Sequence, residues 1–134
     1  GLNGVFRELC DRLAAEGFVV VAPDLWGGVT AATQDEAQQL VDNRDGEAIF
    51  HACSDALAYL RAHPAVTGEG LGAVGFSFGA AYALLLASTR PELRAVTIFY
   101  GTYPLDFSAS QAAVLGHFAP GDPWEPDESV AELE

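Results

Sequence analysis

The chain of 134 residues contains no methionine and no lysine, and it has only two cysteines and three histidines. Without a lysine it cannot supply the cation of a phosphate-binding P-loop. Two cysteines are too few for a disulfide framework, so we expect buried free thiols and a reducing, cytoplasmic compartment. Because a translated chain normally starts with methionine, Gly1 is expected not to be the native start, and the chain is expected to be a piece of a longer protein.

Basic residues are also scarce, since six arginines stand against 19 acidic residues and the net charge is −13. Such a surface repels nucleic acid and anionic membranes, so neither is expected as a partner. The sequence has no long uncharged apolar run, which argues against a transmembrane helix. Half of the residues are hydrophobic, enough for a core, and the length fits a single domain over residues 1–134. The oligomeric state is not indicated by any pattern.

Short apolar runs that predict strands alternate with segments of helical periodicity. We predict strands over residues 18–22, 71–75, 95–100 and 113–118, and helices after Asn3, Thr33 and Asp45, over 78–88 and from Asp127. Thr33 and Glu36 have the spacing of a capping box, and Gly17 is placed to end the first helix. Continuous apolar strands are typical of parallel sheets. The chain therefore predicts an α/β fold, a mostly parallel sheet with helices on both faces.

The segment Gly75-Phe76-Ser77-Phe78-Gly79 matches the G-x-S-x-G pattern of a nucleophile elbow, with an apolar strand before it and a small-residue helix after it. In such a sharp turn the serine is expected to adopt strained dihedrals. Glycine is expected on both sides because side chains there would collide with neighbouring elements. The turn would expose the Ser77 hydroxyl as a nucleophile, and the backbone N–H of Phe78 would face a developing oxyanion.

A triad built on this elbow needs an acid and then a histidine further along the chain. Asp122, which follows the fourth predicted strand, is the candidate acid, and Asp106, after the third, competes with it. No histidine follows Asp122 in the sequence. The three that are present are expected to be structural: His51, His63 and His117. The general base is therefore expected to lie outside these 134 residues.

Several aromatic residues fall near the predicted carboxyl ends of strands, where active sites of open α/β sheets lie. They are candidates for lining a substrate pocket, although packing in the core explains them equally well: Trp26, Phe76, Tyr100, Tyr103 and Trp124. The histidines and cysteines lack the spacing of metal ligands, so no metal is expected.

Over nearly all of its length the chain resembles the dienelactone hydrolase family of α/β-hydrolases. The resemblance is carried by residues 1–3, 7–13, 17–26, 74–80, 99–101 and 117–123. It implies Ser77 as nucleophile, Asp122 as triad acid and the Phe78 amide as one oxyanion donor. It also implies a histidine downstream, after one more strand. The second oxyanion donor and a central strand would lie upstream of Gly1, so the sheet is expected to be split and the piece not to fold stably alone.

Two departures from the family bear on the substrate. The elbow holds Ser77 where well-known members have cysteine, and Gly27 and Gly28 stand where dienelactone-specific members carry an arginine. Together they favour a small ester or lactone over dienelactone itself, cleaved through an acyl-enzyme without a cofactor. Two alternatives remain open. One is a non-catalytic, truncated hydrolase-like protein that acts as a binding or assembly module, and the other is a thioesterase or peptidase on the same fold.

Overall fold

The computed structural model describes residues 1–133, and contacts within the chain divide it into one unit over Gly1–Thr67 and a second from Gly68 onward. The first unit contains three helices and the second contains three strands and two helices. In chain order they are α1 (Gly4–Ala15), α2 (Gln34–Asp42), α3 (Gly46–Ala62), β1 (Leu71–Phe76), α4 (Phe78–Thr89), β2 (Leu93–Phe99), β3 (Ala113–His117) and α5 (Asp127–Ala131). None of the helices within residues 1–133 is long and apolar enough to cross a lipid bilayer.

Side-chain caps start each helix of the first unit. The Asn3 side chain accepts from the N–H groups of the first turn of α1, and the Asp45 carboxylate accepts from Ala48 N–H at 3.0 Å. Thr33 caps α2 by accepting from Glu36 N–H at 3.2 Å. These three predicted starts are confirmed, as is the role of Gly17, whose φ of 95° ends α1 in the left-handed conformation.

The predicted capping box at α2 closes one residue earlier than expected. The Glu36 carboxylate accepts from the N–H of Ala32, at 2.8 Å, and not from that of Thr33. The reciprocal arrangement therefore includes the residue before the cap. It still satisfies two backbone donors at the helix start, which is the physical purpose of the motif.

The strand predicted over residues 18–22 is wrong, since these residues, all of them described, form no strand. Phe18 N–H donates to Leu13 carbonyl, which closes the end of α1, and the Phe18 side chain is 64% exposed. The rest of the run is half-buried, where burial on both faces was expected. β-Branched residues favour extended backbone, but a strand needs a hydrogen-bonding neighbour, and local propensity cannot supply one.

The second unit is built on a parallel sheet in the order β1-β2-β3. Its first crossover is α4, which packs against β1 and β2. The predicted parallel pairing is thus confirmed. Side chains of α4 and β2 form the core, and the largest of them that are fully buried are Leu84, Leu93, Val96 and Ile98.

β3 is the most exposed strand of this sheet. All five of its residues are exposed, including Val114 at 43% and Leu115 at 56%. Within residues 68–133 it pairs with β2 alone, so its second edge has no ladder partner among the described residues. The strand also ends at His117, one residue before the predicted boundary.

Candidate functional site

Ser77 occupies the turn between β1 and α4 in a conformation that serine rarely adopts. Its φ is 48° and its ψ is −122°, which confirms the predicted strain. The residue is exposed, and within the described chain its side chain makes no capping hydrogen bond to α4. A hydroxyl at a helix start normally caps the helix, so its orientation away from this task leaves it available for other chemistry.

Two close approaches of glycine backbone hold this turn. A Cβ built at Gly75 would lie 2.6 Å from Ala80 Cα, and one built at Gly101 would lie 2.7 Å from Ala80 Cβ and would also contact the Ser77 carbonyl oxygen. Glycine is therefore required at both positions. The collision expected at Gly79 is wrong, since a Cβ built there meets no described atom within 4 Å apart from its chain neighbours and the backbone of its own helix. The physical reason is that Ala80, one residue further along α4, is the residue that meets both glycines.

Backbone hydrogen bonds join the carboxyl ends of all three strands around Ser77. The Ser77 N–H donates to the carbonyl oxygen of Phe99 at 2.9 Å, which ties the turn to the end of β2. The next residue, Tyr100, donates its N–H to the carbonyl oxygen of His117 at 2.9 Å. Tyr100 was predicted as the last residue of its strand, but its φ of 41° places it beyond β2 in the left-handed region. Two strained residues thus occupy one edge of the sheet.

The N-terminus of α4 follows Ser77 directly. Phe78 is the first residue of this 12-residue helix, so its backbone N–H lies at the positive end of the helix dipole. Its ring packs at 5.0 Å from that of Tyr82, one turn further along the helix. That contact fixes the side chain along the helix surface, while the backbone remains part of the turn.

Asp122 lies on the loop after β3 and lines a cavity of about 470 Å³. Tyr100 and His117 line the same cavity. The Oδ1 atom of Asp122 accepts from the Trp124 N–H at 2.9 Å, which orients the carboxylate through a tight local turn. The carboxylate therefore faces a space at the same sheet edge as the strained Tyr100.

The competing acid, Asp106, has a different environment. It is exposed, its Oδ1 accepts from the Ser108 N–H at 2.8 Å, and it is not among the described residues that line the cavity. Hydrogen bonds from Ser108 lower the pKa of the Asp106 carboxyl. Asp122 makes the same kind of turn hydrogen bond, so what distinguishes the two acids is the cavity beside Tyr100, which Asp122 lines.

A row of stacked rings crosses the sheet at the carboxyl ends of its strands. Phe76 stacks on Phe99 with centroids 4.8 Å apart, and Phe99 stacks on His117 at 4.6 Å. The strand register pairs these residues, so the row follows from parallel pairing. Tyr100 meets Phe76 at a tilted 6.3 Å.

The other aromatic pocket candidates are placed separately. Tyr103 and Trp124 are 44% and 67% exposed, and neither is among the described residues that line the cavity beside Asp122. Trp26 lies in the first unit, where it lines a cleft of about 430 Å³ with residues of α2. Of the five candidates, Tyr100 is the one found among the described residues that line the cavity beside Asp122.

The three histidines have local roles. His51 is an exposed residue of α3, 3.7 Å from Glu47. His63 ends the same helix, and its Nδ1 accepts from the Ala65 N–H at 3.2 Å. His117 is held by its stacking on Phe99, as a packed or edge residue of β3. No group of three potential metal ligands is found within residues 1–133.

A side-chain hydrogen bond that the sequence did not indicate joins the loops after β2 and β3. The Thr102 hydroxyl donates to Glu125 Oε2 at 2.6 Å, and both residues are half-buried. The two residues are 23 positions apart and belong to no recognised motif. No local signal could have found the pair, although Glu125 does follow Asp122 closely.

Comparison with known proteins gives consistent matches. The sequence profile of the dienelactone hydrolase family matches residues 1–134. In an alignment of 149 positions, gaps included, the chain is 30% identical to a "Probable 2-oxo-3-(5-oxofuran-2-ylidene)propanoate lactonase" from Bradyrhizobium. The alignment covers 99% of this chain and 60% of that protein. The chain thus spans less than two thirds of the length of this curated relative.

Solved structures show the same likeness. A candidate dienelactone hydrolase from Klebsiella pneumoniae matches with a TM-score of 0.80 and 25% identity, covering 99% of this chain and 62% of that one. A dienelactone hydrolase-like promiscuous phosphotriesterase from metagenomic libraries matches with a TM-score of 0.76 and 31% identity, covering 99% and 58%. The parallel sheet with its helices is therefore part of an α/β-hydrolase fold.

Proposed function

The chain belongs to the dienelactone hydrolase family, and from that premise we propose that the protein is a serine hydrolase of small carboxylic esters or lactones. The observation that carries the proposal is Ser77, exposed at φ 48° with a hydroxyl that does not cap α4 within the described chain. A strained serine with an unengaged hydroxyl at a strand-to-helix turn is the arrangement that nucleophilic catalysis requires.

The reaction proceeds in two steps. The Ser77 oxygen attacks the carbonyl carbon and gives its proton to a general base, and the Phe78 N–H donates to the oxyanion that forms. The bond to the leaving alkoxide then breaks, the base returns the proton to that oxygen, and an acyl-enzyme remains. Water attacks the acyl carbon in the second step, which releases the carboxylic acid and restores the hydroxyl. With a lactone, the alcohol released in the first step stays attached to the acyl group.

Asp122 serves as the acid that orients the base and stabilises its protonated form. The base itself is a histidine supplied from outside these 134 residues. His117 is not assigned this role, because its ring is held by stacking on that of Phe99 within the sheet.

The proposed substrate class is supported by relatives and by the loop after residue 23. The curated relative is named as a lactonase and the Klebsiella pneumoniae protein as a candidate dienelactone hydrolase, which supports a small ester or lactone. Gly27 and Gly28, both at positive φ, form a turn without a cationic side chain to hold a substrate carboxylate. An uncharged ester or lactone is therefore preferred over dienelactone. No cofactor takes part, and the free thiols fit the cytoplasm.

The proposal is tested with a fluorophosphonate probe, which modifies an activated serine, on the intact protein that contains this chain. We expect labelling at Ser77, mapped by mass spectrometry, and its loss in Ser77→Ala together with a fall in esterase turnover of about 10⁴-fold or more. Ser88→Ala is the matched control, because the Ser88 hydroxyl also lies at α4 but donates to the Leu85 carbonyl. Full activity in Ser77→Ala would overturn the proposal.

A substrate panel separates the alternatives. Esters and lactones turned over faster than matched thioesters and amides support the proposal, whereas a reversed order would indicate a thioesterase or peptidase. A phosphotriester belongs in the panel, because one similar solved protein is named for that activity. A folded intact protein that reacts with neither probe nor substrate would indicate a non-catalytic binding or assembly module.

A further inference from the structure

Asp122 sits on a loop that local hydrogen bonds hold only loosely. Gly121 has a φ of 71°, and the Asp122–Trp124 hydrogen bond closes a turn within the loop itself. In the described part of segment 118–125, the Thr102–Glu125 hydrogen bond is the only one that leaves the segment. The position of the acid relative to the sheet therefore depends on β3 at one end of the loop and on Glu125 at the other.

Thr102, the donor of that bond, is fixed next to the serine turn. It follows Gly101, which is buried and packs against the Ser77 carbonyl oxygen and Ala80. Before Gly101, the strained Tyr100 and the end of β2 are tied to β3 and to Ser77 by backbone hydrogen bonds. The loop after β2 thus begins with backbone that can move little without moving the nucleophile.

We propose that the Thr102–Glu125 hydrogen bond is a positioning contact that sets the place of Asp122 relative to Ser77. The connection runs from the Ser77 carbonyl through Gly101 to Thr102, across to Glu125, and back through Trp124 to the carboxylate. This inference rests on the proposed function, since it assigns the site two further residues. Neither touches the reacting atoms, so both act through Asp122.

The strength of the contact is suited to this role. A hydroxyl donating to a carboxylate at 2.6 Å is charge-assisted, and such bonds are roughly twice as strong as neutral ones. Half-burial of both partners limits competition from water. Misplacement of a catalytic group by about 1 Å can lower the rate by about 100-fold, so a single anchoring bond can have a large effect on turnover.

The main test is Thr102→Val in the intact protein, because valine has the shape of threonine without the donor. We expect kcat to fall by about 10- to 100-fold with KM changed by less than about 3-fold. The acid limb of the pH profile of kcat/KM should move to lower pH, because a displaced Asp122 stabilises the protonated base less well. Thr102→Ser, which keeps the hydroxyl, should restore most of kcat. Glu125→Gln, which keeps an acceptor without its charge, should lie between them.

A matched control removes a similar bond elsewhere in the same unit. The Thr89 hydroxyl donates to the Leu85 carbonyl at 2.7 Å at the end of α4, so Thr89→Val should leave kcat and the pH profile unchanged. A purely structural role for Thr102 would overturn the proposal. It would appear as a lower Tm for Thr102→Val with the wild-type kcat and pH profile for the folded fraction.

A double-mutant cycle separates this proposal from the proposed function. If Thr102 acts through Asp122, the kcat of the double variant Thr102→Val/Asp122→Asn should lie within about 3-fold of that of Asp122→Asn alone. Additive losses would overturn the positioning role while leaving the triad assignment intact. If instead Asp122→Asn and Ser77→Ala both keep full activity, the proposed function fails and the positioning role fails with it.

Discussion

The two units of the chain start their helices in different ways. In residues 1–67, all three helices begin at a side chain that accepts backbone hydrogen bonds: Asn3, Thr33 and Asp45. In residues 68–133, neither α4 nor α5 has a side-chain cap among the described residues. The second unit also contains both non-glycine residues found at positive φ in the described chain, Ser77 and Tyr100.

This difference separates local from tertiary control of structure. Capped helix starts are specified by a few neighbouring residues, whereas the start of α4 is set by close packing of Gly75 and Gly101 against the helix. Strain at Ser77 persists because the surrounding backbone holds it. The candidate site is thus located in the unit where packing, and not local preference, fixes the backbone.

The largest effect should come from filling the closest approach in the second unit. Gly75→Ala places a methyl group 2.6 Å from Ala80 Cα, where neither backbone can yield easily. We expect the free energy of unfolding to fall by about 3 kcal/mol, measured by urea denaturation.

Gly79→Ala, four residues away, is its matched control. Apart from chain neighbours and the backbone of its own helix, no described atom lies within 4 Å of the added methyl group, and alanine is a better helix former than glycine. We therefore expect Gly79→Ala to raise the free energy of unfolding by about 0.5–1 kcal/mol. Equal losses in the two variants would contradict the assignment of the close approach to Gly75.

Removing a cap should have an intermediate effect that distinguishes the units. Asp45→Ala deletes the acceptor for Ala48 N–H, and we expect a loss of about 1 kcal/mol in the free energy of unfolding. Ser77→Ala should change stability by less than about 0.5 kcal/mol, because the hydroxyl caps nothing within the described chain. A loss of 1 kcal/mol in both variants would show that Ser77 is an ordinary helix cap.

Relieving the strain at Ser77 should stabilise the protein at the expense of catalysis. Glycine adopts positive φ without steric cost, so Ser77→Gly should raise the free energy of unfolding by about 0.5–1 kcal/mol while hydrolysis is lost. Thermal and urea denaturation, together with an esterase assay, test both parts. A less stable Ser77→Gly variant would contradict the presence of strain.

The sequence was sufficient wherever structure depends on neighbours a few residues apart. The helix starts after Asn3, Thr33 and Asp45 and the end of α1 at Gly17 were predicted in this way. The strain at Ser77 was predicted from the G-x-S-x-G motif, although packing is what maintains it. Position-by-position packing was not predictable. Gly79 was expected to be tightly packed and is not, and nothing in the sequence indicates that Tyr100 leaves its strand at positive φ.

Contacts between distant loops were beyond the reach of sequence patterns for a related reason. Thr102 and Glu125 meet only because β2 and β3 pair in one register and the following loops turn toward each other. The error at residues 18–22 is the reverse case, a strand that was predicted and is not formed. The composition of the run favours a strand, but no pairing partner completes one in the described residues. Both cases depend on long-range pairing, which a local pattern does not encode.

A pH-dependent effect on stability concerns the buried thiol of the first unit. Burial raises the pKa of Cys53 from 9.0 to about 11, so the folded state holds its proton when the unfolded chain has lost it. The stabilisation of the folded state by this proton is complete well below pH 9 and is lost as the pH rises from 9 toward 11. We expect the free energy of unfolding to be lower by about 0.8 kcal/mol at pH 9.5 than at pH 8.

Urea denaturation at both pH values tests this, with Cys53→Ala as the control that should lack this dependence. The half-buried Cys10 is present in both proteins, so its titration cancels in the comparison. An identical pH dependence of the two proteins would show that Cys53 is not buried as described.

The exposed second edge of β3 has a consequence for handling these 134 residues on their own. An edge strand without proline, lysine or a carboxylate is a template for a strand from another molecule, and β3 contains none of these. At neutral pH the net charge of −13 keeps molecules apart. That repulsion vanishes near the isoelectric point of about 4.3, so acidification toward this pH should promote aggregation.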